Sequence, residues 1–179
     1  MRKSKTVDMV YIALGAALIA VCAWISIPAA VPFTLQTFAV FAVLGLLGGK
    51  RGTISIAVYI LLGTVGLPVF AGFKGGFGAL LGTTGGYIIG FLLSGICYSF
   101  VIKLLGKKTG TMFFGMILGL IVCYAFGTVW FMQIYMKANG PVTLLTTMTW
   151  CVIPFILPDV LKILLALFIS KKIGRFIDA

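Results

Sequence analysis

The sequence predicts an all-α, polytopic membrane protein, a six-transmembrane-helix bundle forming one domain over residues 1–179. Three observations predict it. Hydrophobic residues make up 61% of the chain and charged residues 9%, too few charges to cover a soluble domain of this length. The apolar runs are long and unbroken, as in membrane helices, and do not alternate over the roughly ten-residue segments of a transmembrane barrel. The charges sit in short clusters between these runs, so the net charge of +11 reads as membrane topology, and nucleic acid is not an expected partner.

The first span runs from about Met9 to Ile27. Arg2, Lys3 and Lys5 ahead of it resemble the start of a signal peptide, but further spans downstream make an uncleaved first helix the expectation. Pro28-Ala29-Ala30-Val31-Pro32 breaks it into an outer loop. A second segment spans about Thr34 to Gly49, closed by Lys50 and Arg51, and a third about Thr53 to Leu67, ending at Pro68. An irregular glycine-rich stretch, Gly72 to Gly86, leads into a fourth span from about Tyr87 to Leu105. The fifth covers about Thr111 to Met136. After a loop and a less regular piece around Thr143 to Trp150, the last helix occupies about Pro154 to Ile173.

Crossing about 30 Å of hydrocarbon takes roughly 20 residues of straight helix, and the second and third segments offer about 15 or 16 each. Such segments either thin the bilayer or form a hairpin whose outer ends stop short of the surface. Irregular backbone at membrane depth is tolerated where it is buried or lines a cavity. Both short segments adjoin such backbone, at Pro28–Pro32 and Gly72–Gly86, so the expectation is a ligand cavity facing outward.

Orientation follows from the basic residues. With the N-terminus inside, Arg2, Lys3, Lys5, Lys50, Arg51, Lys103, Lys107, Lys108, Lys171, Lys172 and Arg175 are cytoplasmic and only Lys74 and Lys137 are outside. This is a strong positive-inside asymmetry, and it places both termini in the cytoplasm. Lys162 belongs to neither group. It lies in the last apolar helix three residues after Asp159, a spacing that puts both on one helical face. A charge near the bilayer centre costs at least ~2.5 kcal/mol, so the pair is expected to face the bundle interior. Two readings stand: an internal ion pair, with Pro158 starting the helix and Asp159 in its first turn, or a polar hold on a small solute.

Other candidates carry two readings each. Thr34, Gln36 and Thr37 are either helix-capping groups or ligand contacts. The glycines around Gly85 and Gly86 permit close approach of a ligand or of another helix, and neither Walker nor GxGxxG spacing is present. Tyr87 and Trp130 serve as cavity walls or interfacial aromatics, and Trp150 as belt or core. Ala13, Ala16, Ala17 and Ala20 form two small-xxx-small pairs, suited to close helix packing inside or outside the bundle. Cys22, Cys97, Cys123 and Cys151 lie in or beside apolar segments with no CxxC spacing, and the chain has no histidine, so no metal site or cofactor is expected. No nucleophile stands beside a base, so enzymatic parts are missing.

Four separated strings resemble the BioY family, over essentially the whole chain and in order. They are Val31-Pro32-Phe33-Thr34-Leu35-Gln36-Thr37-Phe38, Leu62 to Gly72, Gly82-Thr83-Thr84-Gly85-Gly86-Tyr87, and Asp159 with Lys162. Members of that family are biotin-specific S components of energy-coupling factor (ECF) transporters in the cell membrane of prokaryotes. The resemblance implies a six-helix bundle with an outward-facing biotin site capped by the loop between the first two helices. It implies as partners a transmembrane coupling subunit, docked on Ala13, Ala16, Ala17 and Ala20, and two ATPases. Two departures stand out: Leu157-Pro158-Asp159 where the family pattern has Pro-Gly-Asp, and Thr83 where a proline is common. Neither removes a polar side chain. Under this resemblance Asp159 accepts from the ureido N–H, Thr34 or Gln36 meets the ureido carbonyl, and Lys162 meets the carboxylate. Phe33, Tyr87 and Trp130 are then apolar walls, with Gly85 and Gly86 beside them. The alternatives are an S component for riboflavin or thiamine or, further off, a membrane-embedded enzyme.

Overall fold

Twenty apolar residues free of proline and glycine clusters wind readily into a spanning helix, because in lipid every backbone amide must find its partner within the segment. The computed structural model describes residues 5–178, with side chains to residue 174. Arg2 and Lys3, and the side chain of Arg175, therefore lie outside the described residues. In chain order the elements are α1 (Lys5–Trp24), β1 (Ser26–Ile27), β2 (Phe33–Thr34), α2 (Gln36–Thr64), α3 (Phe77–Leu81), α4 (Gly85–Leu105), α5 (Thr109–Asn139), α6 (Leu144–Cys151) and α7 (Ile153–Asp178). Among the described residues, α1, α2, α4, α5 and α7 are long and apolar enough to cross a membrane. This is an all-α membrane protein.

The sixth segment is hidden inside α2. Its two helical arms abut at Gly48, which has φ 79° and ψ 168°, a region open essentially to glycine alone. The chain turns back there. A Cβ on Gly52 would stand 2.8 Å from the Leu44 Cα, whereas eight residues of straight helix rise about 12 Å. The Gln36 amide donates to the Tyr59 hydroxyl at 3.0 Å, a pair that straight helix would separate by about 35 Å. The two arms, residues 36–47 and 49–64, are about 18 and 24 Å long. Both fall short of the bilayer, as a hairpin with sunken outer ends requires.

The loops differ from the sequence expectations in regular detail. Strands β1 and β2 pair antiparallel, Ser26 with Thr34 and Ile27 with Phe33, so the loop over 28–32 is the tip of a small hairpin. Thr34 belongs to this hairpin and not to the second helix. The glycine-rich stretch contains α3, and the less regular piece near 143–150 is α6, capped by the Thr143 hydroxyl, which accepts from the Thr146 N–H at 3.2 Å. Pro158 does not start the last helix. It lies inside α7, because the helix begins at Ile153 with Pro154 in its first turn, where a missing N–H costs nothing. Asp159 consequently sits in the second turn.

Small residues bring the helices close. Gly15 of α1 abuts Ser55 at 2.6 Å from its virtual Cβ, and Gly49 meets the Ser99 Cα at 2.7 Å. Between α4 and α5 the Ser94 hydroxyl bridges the Gly90 and Gly119 carbonyls at 2.9 and 2.6 Å. Tyr59, Tyr98, Phe41 and Phe70 fill the core. The Arg51–Asp8 ion pair, at 2.6 Å, fixes the Gly48 turn to the start of α1. Lys107 and Lys171 line a common cleft, so the turn from α4 to α5 and the end of α7 share one level. Replacing Gly48 with alanine is expected to destabilise the fold by about 1–3 kcal/mol. Gly110→Ala, at an open position in the first turn of α5, should be neutral or slightly stabilising. Thermal unfolding in detergent measures both.

Candidate functional site

A charged pair inside an apolar helix has to find company, and the site is built around that need. Asp159 and Lys162, on successive turns of α7, form an ion pair at 2.8 Å with side chains 4% and 9% exposed. Each is held by a second element. The Lys162 ammonium donates to the Thr34 carbonyl at 2.7 Å and lies 4.2 Å from the centroid of the Phe33 ring. The Tyr124 hydroxyl, from α5, donates to Asp159 Oδ2 at 2.7 Å. Thus α5, α7 and the β1–β2 hairpin meet at one buried polar knot.

Above the knot opens a cavity of about 610 Å³, within the range of small-molecule sites. Its lining includes Asp159, Lys162, Thr34, Gln36, Thr37 and Tyr87, six residues that the sequence singles out. Thr34 precedes the N-cap residue Leu35, its hydroxyl accepting from the first helical N–H, that of Gln36, at 3.1 Å, while its carbonyl serves Lys162. Helix start and site geometry thus coexist in one residue. The Gln36 side chain is buried and tied to Tyr59. Tyr87 is buried, its hydroxyl 3.1 Å from that of Thr128.

Four other candidates stand behind the wall. Phe33 is not a lining residue; its ring underlies Lys162 and stacks at 5.8 Å on Phe155, which does line the cavity. A Cβ on Gly86 would collide with Trp130, and one on Gly85 with the Leu80 carbonyl. Trp130 donates from its indole N–H to the Gly82 carbonyl at 3.0 Å. These residues shape the glycine-rich wall from outside. The alanines of α1 divide in the same manner: Ala16 and Ala20 are buried within the bundle, and Ala13 and Ala17 are exposed. Trp150 is partly exposed and packs edge-on against Tyr135 at 5.7 Å.

Tyr124 and Lys74 are lining residues that sequence reasoning did not place in the site. A phenol in the apolar run Leu120–Tyr124 was a usable signal, since a buried hydroxyl needs a partner and Asp159 needs a donor. Cys123 and Cys151, buried as expected of small core residues, also line the cavity. Removing one partner of a buried pair strands the other. Lys162→Met is therefore expected to destabilise the protein by about 3 kcal/mol. Adding Asp159→Asn should recover part of that loss, as read by thermal unfolding of both variants in detergent.

Comparison with known proteins agrees with this architecture. The profile described as BioY family matches residues 1–179. The biotin transporter BioY of Thermotoga maritima is 41% identical over 89% of this chain and 90% of its own length. The probable biotin transporter BioY of Pyrococcus horikoshii is 38% identical over 96% and 97% of the two chains. Among solved structures, the S-component for biotin from an ECF-type ABC transporter superposes with a TM-score of 0.85 at 29% identity, covering 98% of this chain and 94% of that one. From fold, site and relatives together, the chain belongs to the BioY family.

Proposed function

We propose that this chain is the substrate-binding membrane subunit of an ECF-type vitamin transporter, capturing biotin for uptake driven by partner ATPases. The observation that carries the reading is the Asp159–Lys162–Tyr124 knot at the floor of an otherwise largely apolar cavity. A cyclic urea presents two N–H donors and one carbonyl on a flat apolar ring. Each Asp159 oxygen accepts one hydrogen bond within the protein and keeps capacity for another, so the carboxylate is free to receive ureido N–H groups. Lys162, Thr34 and Gln36 surround the place where the carbonyl then falls. Phe91, Leu120 and Phe155 offer apolar lining for the thiophane ring.

The basic end of the bundle, with Lys50, Arg51, Lys107, Lys108, Lys171 and Lys172, supports a cytoplasmic placement. The cavity then opens outward beneath the β1–β2 hairpin, in the cell membrane of a prokaryote, with both termini inside. The chain offers no nucleotide-binding loop, so ATP hydrolysis falls to two ATPase subunits joined through a transmembrane coupling subunit. Ala13 and Ala17, exposed among Val10, Leu14, Leu18 and Val21, form the small-residue face left for that subunit. Ala16 and Ala20 are already occupied in internal packing.

Purified protein should bind labelled biotin without ATP, with excess riboflavin or thiamine unable to displace it. Asp159→Asn should weaken biotin binding at least about tenfold, the scale of a charge-assisted hydrogen bond; near-native affinity in this variant would sink the assignment. Ala17→Leu should leave biotin binding intact and abolish uptake in cells expressing the coupling subunit and ATPases. Retained uptake would show that this face is not the docking surface.

A further inference from the structure

Biotin carries its charge at the far end of a flexible five-carbon acid chain, well away from the ureido ring. Asp159 and Lys162 stand 2.8 Å apart, so one compact pair cannot meet both ends of an extended molecule. If the ring occupies the knot, the carboxylate lies elsewhere in the cavity. Lys162 is also poorly available to it. Two of its three N–H donors are engaged by Thr34 and Asp159, the Phe33 ring covers another side, and Asp159 neutralises its charge.

Among the described residues, the charged ones lining the cavity are Lys74, Asp159 and Lys162. Their formal charges sum to +1, which matches a monoanion. The pair cancels at the floor and leaves Lys74 as the uncompensated cation. Lys74 sits in the segment between α2 and α3, exposed at the cavity rim.

That segment is built rigidly. The Phe70 N–H donates to the Lys74 carbonyl at 2.9 Å and the Gly76 N–H to the Gly63 carbonyl at 2.7 Å. Phe70 is buried edge-on to Tyr59 at 5.5 Å. From α1, Trp24 donates to the Pro68 carbonyl at 2.8 Å and stacks on Phe73 at 5.3 Å. Phe73 has φ 57°, a left-handed conformation that a bulky side chain adopts only where its surroundings impose it. The lysine backbone is thereby fixed before any ligand arrives, which lowers the ordering cost of binding.

We infer that Lys74 is the carboxylate-recognising residue of the site, selecting ligands with a free acid at the mouth of the cavity. This rests on the biotin reading above. A Lys–carboxylate contact at a rim is charge-assisted yet partly hydrated, so its effect is specific to the charged end of the ligand.

The test compares biotin with biotin methyl ester, which keeps the ureido ring and loses the negative charge, on wild-type protein, Lys74→Met and Lys74→Arg. Wild type should prefer the acid. Lys74→Met should bind the acid roughly tenfold more weakly and the ester unchanged, removing the preference, and Lys74→Arg should restore it. Loss of acid and ester binding alike in Lys74→Met would mean that the residue only supports the segment, and would overturn the inference. Unchanged acid binding would overturn it too. Failure of the wild-type protein to bind either compound would sink the biotin reading itself, a result distinct from binding that ignores Lys74.

Discussion

A lysine ammonium cannot be left alone at membrane depth, and much of this bundle is arranged around that constraint. Lys162 reaches from α7 to a carbonyl of the β1–β2 hairpin, and to Asp159, which in turn takes a proton donor from α5. Three elements distant in sequence are thereby tied at a single point. The tie draws the hairpin inward over the cavity and fixes where α2 begins, since the Thr34 hydroxyl accepts the first N–H of that helix while its carbonyl serves Lys162. The electrostatic need of one side chain thus sets the depth of the loop that closes the site.

The room for a ligand has a second origin in the shortness of the α2 arms. Because the chain reverses at Gly48, neither arm reaches the outer level of α5, whose 31 residues extend about 46 Å. The gap left above the arms is occupied by the β1–β2 hairpin and the Gly66–Gly76 segment in place of helix. Irregular backbone at such depth is acceptable because it lines a cavity and satisfies its own hydrogen bonds locally.

Much of this was legible in the sequence, for reasons tied to particular residues. Charge clusters mark segment ends in membrane proteins because charge is excluded from hydrocarbon, so Lys50, Arg51, Lys107 and Lys108 located the turns. The count of apolar residues between them exposed the short hairpin. Asp159 and Lys162 were conspicuous for the same physical reason. What stayed hidden depends on contacts across the fold. Tyr124 and Lys74 lie in segments whose local pattern reads as plain helix or plain loop, and only the packing of α5 against α7, and of the loop against Trp24, brings them to the cavity. The converse case has the same cause. Gly85, Gly86 and Trp130 form a motif that looks like a binding surface, yet Gly86 packs on Trp130 and Gly85 on the Leu80 carbonyl, behind the lining. Pro158 misleads as a helix start because α7 begins earlier, at Ile153, and carries this proline in its interior at the loss of one i→i−4 hydrogen bond.

The hairpin over the cavity is anchored through a main-chain oxygen, the Thr34 carbonyl, which any amino acid supplies. Its grip on Lys162 is therefore indifferent to most side chains in the loop. Ala29, Ala30, Val31 and Pro32 nonetheless line the cavity, so their side chains act on the ligand space and not on the closure geometry. A mutation that lengthens or shortens that turn acts differently, since it displaces the carbonyl itself. The length of the turn thus governs where the cap sits, while the side chains that line the cavity from it govern what fits beneath.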